Sequence, residues 1–442
     1  AMLNRTEIHK LGKRIRESYG DGTGRVEVAD LEMLQEYRLS YRDTIAEVFK
    51  ILYDTGKRVD SQCIVTYRIK RINSIVEKLK RYPTTAFEHM VDIAGCRCIT
   101  GDTKQVYKIV RKLRENPALI IKDKDKEKGD YIQNPKPDGY RSVHLYVSLA
   151  NGDGKQVEIQ IRDREQHNWA TLVEISDVII PGARLKEYHT PADLLEFHRI
   201  LSLPEEKLTS EEKRTYFKIL DEYDYINLLQ KVFLQNTFIR YQWLNTKSSR
   251  IKNFYLIEAG VGAKTKINCY QTFQDAENAY FERFKQDRNA NIVLTQIQNV
   301  TYEQLSMAYS NYVLSTHSFV SDCMNRYLKE IRNALNNRDI KLYKRLLNSY
   351  FNADAQQIIR INQEIYTINH TLDTVHDQKK RDWIQEVRRQ IAQLDGRRDR
   401  LITIYQGSMR SIDNPIFHLM CHIITKRLGK KYQKLVQNNI PQ

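Results

Sequence analysis

The strongest constraint on the fold is a pair of strand-like segments joined by a tight turn in the first half of the chain. Residues 142–149 and 155–162 alternate apolar and polar side chains, and NGDG lies between them at 151–154. Two alternating runs around such a turn predict a β-hairpin. A hairpin is not stable by itself, so the flanking segments are expected to complete a sheet.

The flanking segments predict a mixture of helices and strands. Apolar residues recur at helical spacing over 30–55 and again over 67–80. Farther along, the pattern predicts a strand at 93–99, a helix at 103–115, a strand at 118–122 and a helix that begins near Asp163. We therefore expect residues 1–185 to form one α+β domain, a mixed β-sheet flanked by helices.

The rest of the chain predicts two further regions. Residues 186–320 begin as a helical linker and continue with the strand-like runs FYLIEAG, TKINCY and NIVLTQI, with helical patterns at 274–286 and 302–312. This order predicts a small α/β accessory module. Residues 321–442 read as a helical C-terminal region, and alternating charges over 353–407 are typical of long exposed helices.

The charge of the chain narrows the class of partner. Lys and Arg total 71 against 55 Asp and Glu, a formal net charge of +16 at pH 7. This excess favours polyanions such as nucleotides or RNA, although a solvated basic face would give the same count. No apolar run approaches the ~18 residues of a membrane span, and none marks the N-terminal residues for export. The six cysteines are scattered, so we expect a cytoplasmic protein without membrane contact.

The run VEIQIR at 157–162 brings three polar groups to one face of a predicted strand. Glu158, Gln160 and Arg162 alternate with β-branched apolar residues, and alternate side chains of a strand share a face. A carboxylate, an amide and a guanidinium in a row could supply a base, an orienting group and a phosphate clamp. Taken alone, the row is more typical of a strand whose polar face meets solvent.

The helix predicted over YRIKRINSIVEKLKR, 67–81, carries a cationic row. Lys70, Ser74 and Lys78 recur at four-residue spacing, with Arg68 and Arg71 beside them. Several cations and a hydroxyl on one face suit a triphosphate. A solvated basic face is the alternative.

Two more segments carry groups that folding does not require. In HMVDIAGCRCI, Asp92 stands just ahead of a predicted strand that contains Arg97. A carboxylate at this position is a frequent Mg²⁺ ligand, because the ion takes its other oxygens from phosphate and water. The loop NPKPDGYRSVH turns at Asp138-Gly139 and presents Lys136, Tyr140, Arg141 and His144. The Tyr140 ring is one on which a base could stack.

Taken in order, YRIK, VDIAGCR, DYIQNPKPDGYRSVH, VEIQIR and HNWA resemble the signature segments of the synthetase domain of RelA/SpoT-family alarmone synthetases. The resemblance covers about residues 30–180. It implies a nucleotidyltransferase-like fold and transfer of the β,γ-pyrophosphate of ATP to the ribose 3′-hydroxyl of GDP or GTP, which makes (p)ppGpp. It also implies Mg²⁺ as the cofactor.

The resemblance implies a role for each matching position. ATP would be held by Arg68, Lys70, Ser74, Lys78 and Arg97, and the acceptor by Lys136, Tyr140, Arg141 and His144. Asp92 and Glu158 would bind Mg²⁺. Glu158 would also act as the general base or orient it, supported by Gln160 and Arg162.

The sequence leaves several alternatives open. About 30 residues precede the resemblance without a His-Asp metal pair, which favours a small synthetase with a C-terminal extension, and Asp163 stands where many relatives have Thr. A toxic member that pyrophosphorylates the tRNA 3′ end or an adenosine nucleotide, restrained by its C-terminal region, is the second reading. A catalytically idle nucleotide- or RNA-binding module is the third, which Asp92 and Glu158 argue against. The acceptor, association with a second copy and the role of residues 320–442 stay open.

Overall fold

The computed structural model describes residues 3–20, 26–121, 129–180, 192–233, 254–259, 266–288, 291–297, 318–371 and 377–440. The chain divides into two compact units. The first unit comprises residues 1–174, 198–204 and 242–313, and the second comprises residues 175–197, 205–241 and 314–442. The boundaries that we predict at 185 and 320 stay predictions.

The elements follow one another in a mixed order. The strands are β1 (Ile64–Ile69), β2 (Ala94–Thr100), β3 (Leu119–Ile121), β4 (Val143–Leu149), β5 (Val157–Asp163), β6 (Phe254–Ala259), β7 (Lys266–Tyr270) and β8 (Asn291–Ile297). The helices are α1 (Arg5–Gly20), α2 (Val28–Leu39), α3 (Arg42–Val59), α4 (Ile72–Arg81), α5 (Thr103–Arg114), α6 (Arg164–Ile179), α7 (Ala192–Leu201), α8 (Ser210–Glu222), α9 (Tyr225–Phe233), α10 (Phe273–Gln286), α11 (Ser318–Asn336), α12 (Ile340–Thr371), α13 (Asp377–Ser411) and α14 (Pro415–Asn439).

The first unit is built on one mixed sheet. The eight strands that the structure describes lie in the order β3-β4-β5-β2-β1-β8-β6-β7. β2 and β5 run parallel, and the other neighbouring pairs are antiparallel. The predicted hairpin is confirmed as β4–β5, and buried apolar residues such as Leu145 and Ile159 occupy its inner face. The α+β fold class predicted from the sequence is confirmed.

Two of the predicted helices are wrong in extent. The helix expected over 67–80 begins only at Ile72, because Ile64–Ile69 pairs with β2 and forms strand β1. β-branched residues at 64–66 favour a strand, and the cationic pattern after them concealed it. The helix expected over 30–55 is two helices, α2 and α3. At the break the Ser40 hydroxyl donates to the Tyr37 carbonyl at 2.7 Å.

The strand-like runs predicted after residue 250 are confirmed as β6, β7 and β8, and α10 matches the helix predicted at 274–286. These strands extend the same sheet, since β8 pairs with β1 at Thr66–Ile297 and Tyr67–Gln296. The helix predicted at 302–312 and much of the linker lie outside the described residues. Because of β8, β1 is an interior strand of the sheet.

The second unit is helical in the part of the chain that the structure describes. Aromatic side chains pack in its core, with ring centroids 5.6 Å apart for Phe197–Tyr216 and 4.9 Å apart for Phe217–Tyr327. The predicted helical C-terminal region is confirmed as α11–α14. Among the described helices, none combines the length and the apolar character needed to cross a membrane.

Candidate functional site

Polar residues from four strands form two rows across one face of the sheet. The first row is Arg68 of β1, Gly95 of β2, Glu158 of β5 and Tyr146 of β4. The second row is Thr66, Arg97, Gln160 and His144. Members of the two rows are two residues apart on each strand, so they share a face. The opposite face is apolar and buried.

These rows form the floor of a cleft of about 190 Å³. Its lining residues are Thr66, Arg68, Lys70, Asp92, Gly95, Cys96, Arg97, Glu158 and Gln160. A Cβ built on Gly95 would meet only the Glu158 backbone oxygen, at 3.7 Å. The glycine therefore leaves open space between the guanidinium of Arg68 and the carboxylate of Glu158.

One wall of the cleft holds a carboxylate between two ammonium groups. Asp92 Oδ2 lies 2.8 Å from Lys70 Nζ, and Asp92 Oδ1 lies 2.7 Å from Lys78 Nζ. Burial opposes ionisation of Asp92, but the two ammonium groups outweigh it and hold the pKa of Asp92 below its usual 3.8. Burial also lowers the pKa of Lys70, an effect that Asp92 opposes. The wall therefore carries both signs of charge at close range.

Glu158 is the last of a series of hydrogen-bonded side chains on the floor of the cleft. Its Oε1 lies 2.9 Å from His144 Nδ1, and His144 Nε2 lies 2.8 Å from the Tyr140 hydroxyl. Gln160 Nε2 donates to Glu158 Oε2 at 3.0 Å. Burial would raise the pKa of Glu158, but His144 and Gln160 together bring it below the usual 4.5. The carboxylate is therefore ionised at neutral pH, and it favours the His144 tautomer with the proton on Nδ1.

An aromatic cluster stands beside this series of side chains. Tyr131 lies 5.1 Å from His144 and 6.0 Å from Tyr140, and Tyr140 lies 6.3 Å from Trp169, measured between ring centroids. Lys136 Nζ lies 4.6 Å from the centroid of Tyr131 and 5.0 Å from that of Tyr140. A cation at these distances is attracted to the ring faces. Lys136, Tyr140 and His144 of the predicted loop thus meet beside Glu158.

Ser74, Arg162 and Arg141 are not among the residues that line the cleft. Ser74 lies one helical turn before Lys78 on α4. Arg162 is buried, and its Nη2 lies 2.7 Å from His167 Nδ1. Burial and the nearby Arg97 lower the pKa of Arg162 to about 10, so it stays charged at neutral pH. Arg141 donates to the carbonyl of Ser202. The functional roles of these residues stay predictions.

Asp163, the departure from the family pattern, is the last residue of β5 and caps the start of helix α6. Its Oδ1 accepts the Gln166 N–H at 2.9 Å, and its own N–H donates to Gln166 Oε1 at 3.1 Å. The Thr103 hydroxyl donates to its Oδ2 at 2.5 Å. The two reciprocal bonds between Asp163 and Gln166 form a capping box. Helix capping therefore explains an aspartate at this position.

Sequence reasoning missed three residues of the site. Thr66 lies on β1, which was not predicted. Tyr146 hydroxyl donates to Glu158 Oε1 at 3.4 Å, and the two-residue alternation from His144 could have found it. Tyr131 reaches the aromatic cluster through irregular backbone, for which the sequence has no periodic signal.

Two carboxylates in the cleft bear on metal binding. The described residues contain no group of three or more His, Cys, Asp or Glu side chains arranged to hold a metal ion. Mg²⁺ needs few protein oxygens when phosphates and water supply the rest. Asp92 and Glu158 are ionised and line the same cleft, so they fit an ion that arrives with a polyphosphate.

Known proteins resemble the part of the chain that forms the cleft. The family model described as "Region found in RelA / SpoT proteins" matches residues 67–176. The chain is 40% identical over 116 residues to the GTP pyrophosphokinase YwaC of Bacillus subtilis, a match that covers 24% of this chain and 53% of the relative. It is 32% identical over 158 residues to the GTP pyrophosphokinase YjbM of the same organism, covering 32% of this chain and 72% of the relative.

Other relatives are matched over a smaller share of their length. The chain spans about half of YwaC and 18% of the GTP pyrophosphokinase of Escherichia coli K12, to which it is 32% identical over 141 residues. Among solved structures, the small alarmone synthetase 1 of Bacillus subtilis bound to its product pppGpp gives a TM-score of 0.33 at 23% identity, covering 43% of this chain and 96% of that one. The small alarmone synthetase 2 of the same organism gives 0.30 at 26% identity, with the same shares covered.

Proposed function

Because the chain belongs to the RelA/SpoT family, we propose that it transfers the β,γ-diphosphate of ATP to the ribose 3′-hydroxyl of GDP or GTP and so makes (p)ppGpp. The observation that carries the proposal is the cleft itself, with ionised Glu158 on its floor and Lys70 and Lys78 on its wall. The names of the relatives, GTP pyrophosphokinases, support a guanine nucleotide as acceptor.

The proposed reaction forms one O–P bond and breaks another. The 3′ oxygen of the acceptor attacks the β-phosphorus of ATP, and the bond from that phosphorus to the oxygen bridging the α-phosphate breaks. AMP leaves with the bridging oxygen, and the hydroxyl proton passes to the Glu158 carboxylate. Transfers of this kind depend on in-line positioning and on neutralising developing charge more than on covalent help.

In the proposal, the cations of the cleft hold the triphosphate of ATP. Arg68, Lys70 and Arg97 line the cleft, and Lys78 reaches Asp92 at its edge. Ser74 on α4 adds a hydroxyl. Mg²⁺, held by Asp92 and Glu158, would neutralise phosphate charge and polarise the β-phosphorus. Phosphates that bind Lys70 and Lys78 would release Asp92 for the ion.

The acceptor would enter beside the aromatic cluster. Tyr140 offers a ring for base stacking, and Lys136 offers a cation for acceptor phosphate. His144 lies between Tyr140 and Glu158, so in our proposal it keeps Glu158 ionised and oriented toward the 3′-hydroxyl. Gln160 holds the second carboxylate oxygen, and Arg162, two residues farther along the same face of β5, supplies positive charge. Arg141, which donates to the Ser202 carbonyl, would help by holding the backbone of the loop in place.

The charge of the chain favours a second candidate acceptor. The net charge is +16, and helix α14 has no acidic residue but contains Lys426, Arg427, Lys430, Lys431 and Lys434. These features support a polyanionic acceptor such as tRNA, whose 3′ end offers a ribose hydroxyl. The second candidate is therefore a toxic family member that modifies tRNA and is restrained by its C-terminal region. An adenosine nucleotide is a further acceptor in this reading. We place either activity in the cytoplasm, the compartment of these substrates.

The test offers all acceptors in parallel. ATP labelled at the β- and γ-phosphates is incubated with Mg²⁺ and with GDP, GTP, unlabelled ATP or deacylated tRNA, and the products are separated. We expect label on GDP and GTP with release of AMP. Label on tRNA or on an adenosine nucleotide would replace the guanine proposal with the second candidate. A chain that binds ATP but labels none of the four would be an idle binding module.

A further inference from the structure

Helix α10 lies outside the residues matched by the family model, yet it supports the cleft from behind. Glu277 of α10 and Arg38 of α2 form an ion pair at 3.0 Å, and each side chain is 1% exposed. Gln35 Nε2 donates to the same Glu277 oxygen at 3.1 Å. The Arg38 guanidinium lies over the Tyr280 ring, 4.5 Å from its centroid. We refer to Gln35, Arg38, Glu277 and Tyr280 as the α2–α10 cluster.

The α2–α10 cluster is bonded to the backbone of Lys70. Arg38 Nε donates to the Lys70 carbonyl at 2.8 Å, and the Lys70 N–H donates to the Ile93 carbonyl at 2.7 Å. The peptide groups of Lys70 are therefore held on both sides, next to Asp92, which its ammonium group binds. Because a lysine side chain is long and flexible, a fixed backbone limits where its ammonium group reaches.

The same helix contacts the start of α4. The Tyr280 hydroxyl accepts the Ile72 N–H at 3.0 Å, one of the N–H groups that a helix leaves free in its first turn. Helix α4 carries Lys78, the second ammonium group on Asp92. Both lysines that bind Asp92 are thus connected to α10, one through Arg38 and one through the beginning of α4.

The energetics of the buried Arg38–Glu277 ion pair favour a positioning role over a stabilising one. A buried ion pair adds little net stability, because desolvation offsets much of the attraction. Among the described residues, Glu277 Oε1 is buried with no hydrogen-bond partner. The pair is therefore a poor source of stability, whereas its directed hydrogen bonds fix the position of the Lys70 carbonyl.

We propose that Glu277 is a positioning residue for the phosphates of ATP, acting through Arg38 on Lys70. The inference rests on the proposed function of the cleft. It assigns a task to β6, β7, β8 and α10: the strands extend the sheet beside β1 and the helix holds the β1–α4 turn, so the triphosphate site depends on residues far away in sequence.

The direct test replaces Glu277 with Gln, which keeps the size of the side chain and removes its charge. We expect the Kd of a methylene analogue of ATP with Mg²⁺, measured by calorimetry, to rise about tenfold, because small displacements of a positioning group are costly. The KM for ATP should rise with it, and the KM for GDP should not change. The matched control is Glu258→Gln. Glu258 of β6 also pairs with α10, through Arg283, but at a partly exposed position. This control should change neither the Kd of the analogue nor the KM for ATP.

A double-mutant cycle with Lys70→Ala distinguishes positioning from a general loss of stability. If Glu277 acts through Lys70, Glu277→Gln adds little to the loss that Lys70→Ala causes. Additive losses, or equal increases of KM for ATP and GDP, would overturn the inference. If Glu277→Gln does not fold, Arg38→Lys decides: it keeps a cation beside Glu277 but loses the guanidinium bond to the Lys70 carbonyl, and an unchanged Kd for the analogue would overturn the inference. A parent chain that does not bind the analogue would overturn the proposed function itself.

Discussion

At the scale of single residues, Tyr140 makes two kinds of contact that different substitutions separate. Its hydroxyl lies 2.8 Å from His144 Nε2, in the series of side chains that ends on Glu158. Its ring contacts Lys136, Tyr131 and Trp169. Burial raises the pKa of Tyr140, so the hydroxyl keeps its proton at neutral pH and can donate it to the ring nitrogen.

Tyr140→Ala should weaken acceptor use far more than ATP binding. Stacking of a base on an aromatic side chain is worth roughly 1–3 kcal/mol, so the KM for the acceptor should rise about ten- to a hundredfold. Tyr140→Phe is the matched control, because it keeps the ring and removes the bond to His144; it should lower turnover with little change in that KM. Equal losses for ATP and acceptor in Tyr140→Ala would show a folding role instead.

At the scale of elements, the position of β1 decides which cations reach the cleft. Arg68 lies in its polar row, and Lys70 follows its last residue. The sequence placed both on one helix with Ser74 and Lys78, because the cationic residues of strand and helix run together without a break. The paired strands β2, β4 and β5 were predictable from alternation, since one face of each is apolar. The pairing of β8 with β1 joins residues more than 200 positions apart, and no local pattern specifies it.

The site was predictable to the extent that side chains lie on well-defined elements. Glu158, Gln160 and His144 follow from strand alternation and meet in the structure. The contact of Lys78 with Asp92 could not be derived, because it depends on how α4 packs beside β2. The same holds for Glu277, which lies in a segment that the sequence assigned to an accessory module.

The cap of α6 gives a prediction at this scale. Asp163→Ala removes the oxygen that accepts the Gln166 N–H, and loss of such a cap costs about 1 kcal/mol of stability. Asp163→Asn keeps an acceptor and should stay close to the parent in urea unfolding. Neither change should alter the KM for ATP or for the acceptor. A shift in acceptor preference in Asp163→Ala would mean that this position takes part in acceptor binding after all.

At the scale of the whole molecule, the second unit has a core of its own. The Tyr216 hydroxyl lies 2.8 Å from Cys323 Sγ, and the ring of Phe319 lies 5.6 Å from that of Tyr225. Helices α8 and α9 therefore bury their aromatic residues against α11. Removal of residues 320–442 would strip this core from helices that remain, so a truncated chain is unsuited to testing regulation by the C-terminal region.

Two predictions follow from that core, one for a truncated chain and one for substitutions at Tyr327 in the full chain. A chain cut near residue 320 should bind a hydrophobic dye and aggregate. Tyr327→Ala should lower the free energy of unfolding by about 3–5 kcal/mol, as for other large buried aromatic residues. Tyr327→Phe, which keeps the ring and loses the 3.4 Å hydrogen bond to Asp221, should lower it by about 1 kcal/mol. A soluble truncated chain with a cooperative unfolding transition would contradict this account of the unit.

The proposed chemistry rests on Glu158, which the sheet holds on the floor of the cleft. Glu158→Gln should leave the unfolding temperature close to that of the parent, because the amide oxygen can still accept from His144, and the amide NH2 can donate to the side-chain oxygen of Gln160 once that amide turns over. It should retain most of its binding of the ATP analogue, since the cations of the wall are untouched and Asp92 still offers a carboxylate to Mg²⁺. Its transfer rate should fall by orders of magnitude, because the group that accepts the hydroxyl proton is lost.

The most direct measurement follows ATP labelled at the β-phosphate with GDP as acceptor, in the parent and in Glu158→Gln, and counts AMP and labelled acceptor together. The account predicts one AMP for each labelled GDP in the parent, with the label at the 3′ position, and neither product above background in Glu158→Gln. Release of ADP or of AMP without labelled acceptor would contradict pyrophosphate transfer. Near-parent turnover in Glu158→Gln would contradict the role of Glu158 at its centre.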